Sequence, residues 1–102
     1  MRLTDFQIKN IKDIAQEVFG KCRIFLFGSR VDDSLKGGDI DLYFILDKKP
    51  HFLDKPKFLA KLKRKIGEQK IDVVIDYPDR KKSLIDEEAL KGIELWVFYK
   101  KG

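Results

Sequence analysis

Residues 22–30 read Cys-Arg-Ile-Phe-Leu-Phe-Gly-Ser-Arg, and residues 39–46 read Asp-Ile-Asp-Leu-Tyr-Phe-Ile-Leu. Both are apolar runs of strand length; the first ends in a glycine–serine turn and the second opens on two acids one residue apart. Successive side chains of a strand point to opposite faces, so Asp39 and Asp41 share a face and Ile40 takes the other. Two carboxylates so close repel each other in a half-buried site, and the usual natural remedy is a bound divalent cation. The Gly28-Ser29 turn offers backbone N–H groups and a hydroxyl to phosphate oxygens. Together these features point to metal-dependent chemistry on a nucleoside triphosphate.

A third carboxylate extends the pattern. Residues 70–76, Lys-Ile-Asp-Val-Val-Ile-Asp, read as another strand in which an acid stands among β-branched residues, a costly placement unless the acid is liganded or exposed. Two phosphate-bridging metal ions, about 3.5–4 Å apart in two-metal enzymes, need about three carboxylates to hold them. Asp39, Asp41 and Asp72 supply that number. Asp76 lies on the same face as Asp72 but about 13 Å along the strand, and reads as a strand-end residue rather than a ligand.

In order and spacing these residues resemble the minimal nucleotidyltransferase domain of the DNA polymerase beta superfamily. That family places Gly-Ser at the end of one strand, Asp-x-Asp on the next and a third Asp on a later one, and Gly28-Ser29, Asp39, Asp41 and Asp72 match position by position across roughly residues 20–98. The resemblance implies a polymerase beta-like fold, two Mg2+ ions held by Asp39, Asp41 and Asp72, and ATP as nucleotide donor with its triphosphate on Gly28, Ser29 and Arg30. One position departs from the pattern: Gly38 stands where members often carry Ser before the first Asp, so only backbone can contact the substrate there. Taken singly, a Gly-Ser-Arg tripeptide is a turn and an Asp after two glycines is a turn residue beside a strand. Their joint occurrence with a third acid carries the resemblance.

The 102 residues fit one small domain spanning 1–102, without room for a separate acceptor-binding domain. No run of about 18 apolar residues and no charged-then-apolar leader is present, so the reading is a cytoplasmic protein with no membrane segment. The single Cys22 and the single His51 exclude an intrachain disulfide and a structural zinc site within one chain. Cys22 reads as a small core or edge residue and His51 as a surface loop residue. Lys is plentiful and Asn and Gln are scarce, a bias of proteins from hot environments.

The remaining chain sorts into helices and strands. Thr4 with Gln7 forms a capping box before Ile8, Ile11, Ile14, Ala15 and Val18 at helical spacing, and Gly20 ends that helix. A second helix runs from about Asp54, with Pro56 in its first turn, to Gly67. A third is expected over about 82–91, ending at Gly92, with a final short strand over 93–99. The continuous apolar character of 22–27 and 40–46 predicts strands covered on both faces. The resulting fold class is α/β, with a small mixed sheet backed by helices.

The net charge is +5, yet residues 55–70 alone carry Lys55, Lys57, Lys61, Lys63, Arg64, Lys65 and Lys70 against Glu68, a net of +6. Such a face is either solvated or a docking surface for an acidic partner. Phe58 and Leu62 lie at core spacing and make no base-stacking platform, so the reading favours a protein partner over nucleic acid. Arg30 and Lys36, between the turn and the acids, are candidate cations for triphosphate oxygens. Trp96, Phe98 and Tyr99 read as core or interface aromatics.

The expected activity is transfer of a nucleoside monophosphate from a triphosphate to an acceptor hydroxyl. Small stand-alone members of the family resemble the antitoxin half of HEPN/MNT toxin–antitoxin pairs, which implies a co-encoded helical HEPN-type toxin as both partner and acceptor. Two other readings stay open: a catalytically silent antitoxin that acts by binding alone, and an enzyme for a small acceptor such as an aminoglycoside, its site completed by a second copy of the chain. The neighbouring reading frame discriminates among them.

Overall fold

The computed structural model describes residues 3–28 and 39–95. In chain order these form α1 (Asp5–Phe19), β1 (Cys22–Phe27), β2 (Ile40–Leu46), α2 (Asp54–Ile66), β3 (Ile71–Asp76), α3 (Leu84–Leu90) and β4 (Ile93–Leu95). The strands make one mixed sheet in the order β3-β2-β1-β4. β1 runs antiparallel to β2 and β4, whereas β2 and β3 are parallel. Parallel neighbours need a crossover, and α2 supplies it.

Local chemistry sets the helix ends. Thr4 accepts a hydrogen bond from the Gln7 backbone N–H at 3.1 Å and Gln7 Oε1 accepts one from the Thr4 N–H at 2.9 Å, closing the capping box at the start of α1. Gly20 and Gly67 end α1 and α2 with positive φ and donate back to Gln16 and Lys63. The third helix is shorter than the sequence predicts, 84–90 rather than 82–91. Ser83 is extended and caps the helix in a box with Asp86, and Lys82 reaches back to Asp76 at 2.6 Å, so neither residue joins the helix.

One sheet face carries Ile24, Leu26, Ile40, Leu42, Phe44 and Val73 and packs under α1 and α2. Phe19, Phe44 and Phe58 bring α1, β2 and α2 together at centroid separations of 5.0–5.5 Å, within the range of favourable tilted ring contacts. Cys22 lies in this core; burial first, then the charge of Asp47, push its thiol up to about 11, which leaves it an inert packing residue. Lys61 of α2 pairs with Glu17 of α1 at 3.0 Å, so this cation of the basic segment is engaged within the fold. Lys55, Lys57, Arg64 and Lys65 are exposed.

The opposite face is covered over part of its length only, which corrects the expectation of strands buried on both sides. The seven-residue α3 sets Ala89 against Phe25 and Tyr43. Beneath it lies a buried ionic cluster: Asp86, 1 % exposed, accepts from the Tyr43 hydroxyl at 2.8 Å and from Arg80 at 2.7 Å, and Asp76 pairs with Arg80 and Lys82. Asp76 is thus a strand-end residue, as the sequence predicts, anchoring the 77–83 segment. Two residues up β2 from Tyr43 on the same face stands Asp41, half-buried and beyond this cover.

Candidate active site

The strand register brings the acids together. β2 and β3 pair with Ile40 opposite Ile71 and Asp41 opposite Asp72, and partners in a pleated sheet project to the same side. Asp41 also stands opposite Phe27 of β1, so Gly28, the next residue, lies against its carboxylate. Gly28 has φ +77, and a Cβ there would collide with Asp41 Oδ2. The glycine is therefore required twice, by its left-handed backbone and by the acid it admits. Ser29, Arg30 and Lys36, along with Gly38, lie outside the described residues, as do Trp96, Phe98 and Tyr99.

Asp41 is held above the ordinary carboxylate range, first because it is partly removed from water and then because Asp72 and Asp39 add like charge, with Asp72 near enough to share a hydrogen bond; Lys70 pulls the other way. Asp39 is 37 % exposed and its Oδ2 meets Lys70 Nζ at 3.4 Å. In the sequence Lys70 counts only as one cation of the basic 55–70 segment. The signal was present in the register: Ile71 pairs with Ile40, so the residues one step earlier, Lys70 and Asp39, must also be neighbours.

The donor set fits a divalent cation. Mutually repelling carboxylates at the mouth of a sheet, with a glycine cleared in front of one of them, form the hard, all-oxygen environment that Mg2+ favours. Among the described residues no three acids already close into a metal-holding group; Asp39 faces Lys70 instead. His51 takes no part: it is exposed, its Nδ1 accepts from the Leu53 N–H at 3.2 Å and its ring stacks on Phe52.

A β1–β2 hairpin that ends in a Gly beside an Asp-x-Asp strand, with a parallel third strand presenting one more acid, defines a nucleotidyltransferase scaffold. The chain belongs to the polymerase beta nucleotidyltransferase family, whose sequence profile matches residues 9–98. No curated protein matches it significantly. Membership supports nucleotidyl transfer as the general activity. No described helix is long and apolar enough to cross a membrane.

The crowded carboxylates carry an electrostatic cost that a substitution reveals. With Asp41 half-buried beside two like charges, Asp41→Asn removes repulsion in the folded state, so at neutral pH in the presence of chelator it raises Tm by a few degrees. Thermal unfolding followed by circular dichroism checks this. A fall in Tm would mean that the acids are not crowded together.

Proposed function

We propose that this protein transfers AMP from ATP to a hydroxyl side chain of a partner protein, using Mg2+ held by Asp39, Asp41 and Asp72. The single observation that carries the reading is the register that sets Asp41 beside Asp72 on adjacent parallel strands with Gly28 cleared in front of Asp41. When bound, two Mg2+ ions would neutralise phosphate charge and lower the pKa of the attacking hydroxyl. Asp39 and Asp41, at the start of β2, hold the donor side. Gly28, Ser29 and Arg30 bind the β- and γ-phosphates so that the α-phosphorus lies in line with the acceptor oxygen. Asp72, across the register, orients the acceptor hydroxyl and receives its proton as the new O–P bond forms. The α–β phosphoanhydride bond breaks and pyrophosphate leaves with its electron pair.

A protein acceptor is supported by the resemblance to HEPN/MNT antitoxins and by the exposed cations Lys55, Lys57, Arg64 and Lys65, which suit an acidic partner surface. Intact-mass spectrometry of the protein encoded beside this one, after incubation with the chain, ATP and Mg2+, is the test. The expected result is an increase by one or more AMP units, lost when Mg2+ is chelated. An unmodified partner together with efficient modification of a small alcohol would replace the protein acceptor by a small molecule.

A further inference from the structure

Lys70 stands at the edge of the acid cluster in an unusual combination of fixed backbone and exposed side chain. Its carbonyl accepts from the Ile40 N–H at 3.0 Å, which pins its backbone to the strand that carries Asp39 and Asp41. Its side chain is 74 % exposed, with the ammonium 3.4 Å from Asp39 Oδ2. The cation occupies one of the oxygens that a metal would use, and its four-carbon stem can turn away without disturbing the sheet.

We infer that Lys70 is an exchangeable counter-ion of the site: it pairs with Asp39 when no metal is bound, gives way to the divalent cation, and then binds the phosphate oxygens of the incoming nucleotide. The inference rests on the nucleotidyltransferase reading above and adds to it a residue outside the three acids and the Gly-Ser turn. Charge explains the exchange. Asp39 alone is matched by one ammonium, but a divalent ion satisfies more than one carboxylate at once and displaces it. The nucleotide then brings fresh negative charge to the same place, and a flexible ammonium within reach is drawn to it as a point charge.

The role predicts effects of opposite sign in one variant. Lys70→Met removes the competitor and the phosphate contact together. By calorimetry on the full chain, Mn2+ alone should bind about threefold more tightly than to the wild type, as expected for loss of an exposed competing charge. Mg2+–ATP should bind about tenfold more weakly, as expected for loss of a charged hydrogen bond to phosphate. Lys70→Arg should restore the nucleotide affinity, and the exposed position leaves Tm within a few degrees of the wild type. A purely structural ion pair would leave nucleotide affinity unchanged or raise it in Lys70→Met, and either outcome overturns the inference while the site reading stands. If the wild type binds neither Mn2+ nor Mg2+–ATP, both fall.

Discussion

Asp72→Asn should lower the rate of nucleotide transfer by about three orders of magnitude while leaving Mg2+–ATP affinity within a few fold of the wild type. The size follows from the several kcal/mol that a correctly held metal and proton acceptor contribute to such a transition state, at 1.36 kcal/mol per factor of ten. The split follows from position. Asp72 comes from β3, across the register from Asp41, whereas Asp39 and Asp41 flank the start of β2 next to Gly28. Loss restricted to the chemical step means that Asp72 acts on the nucleophile. Single-turnover rates measured alongside calorimetric affinities separate the two. Equal losses in binding and rate would place Asp72 with the donor-side acids.

The second large effect concerns stability. Burial alone would raise the pKa of Asp86, but the Ser83 N–H, the Arg80 guanidinium and the Tyr43 hydroxyl outweigh it and hold the group far below the usual carboxylate range. Asp76 is lowered as well, its burial outweighed by Lys82 and Arg80. Replacing Asp86 by Ala leaves Arg80 and the Ser83 N–H short of a partner beneath α3. Breaking a buried pair in this way costs about 3–5 kcal/mol, a fall in Tm of about 15 °C or more for a domain of this size. Tyr43→Phe leaves the charges paired and removes one donor, so it should cost less, about 1–3 kcal/mol.

The same cluster fixes the acid response. A carboxylate whose folded pKa lies below its unfolded value of about 3.9 contributes its stability fully above that value. The contribution drains as pH falls below about 4 toward the folded pKa. Wild-type stability should therefore drop steeply below pH 4, and Asp86→Ala should flatten that part of the profile. Parallel slopes in the two proteins would contradict the role of the cluster.

Much of the architecture is local and therefore readable in the chain. Thr4 and Gln7 cap one another across three residues, Gly20 and Gly67 end helices by their own backbone freedom, and the runs 22–27 and 40–46 coincide with β1 and β2. The acids are legible for a related reason: alternation puts Asp39 and Asp41 on one face, and one parallel pairing adds Asp72. What the sequence hid is long-range. Tyr43 and Asp86 are 43 positions apart, and nothing near either residue signals that one buried carboxylate will gather a tyrosine, an arginine and a helix cap. The helix α3 starts at Leu84 rather than near residue 82 for that reason, since Lys82 answers to Asp76 rather than to helical periodicity. Lys70 is one more charge on a basic segment in the sequence, because its meaning depends on which residue of β2 it lies beside.

The proposed metal-dependent nucleotide site stands on Asp39, Asp41 and Asp72 together. Calorimetric titration of ATP into the wild type and into an Asp39→Asn/Asp41→Asn double variant, each with Mg2+ and with chelator, is the decisive measurement. Wild-type binding should require Mg2+ and be severely weakened in the double variant. ATP affinity that is independent of metal and unchanged by the two substitutions would rule out a metal site at these acids.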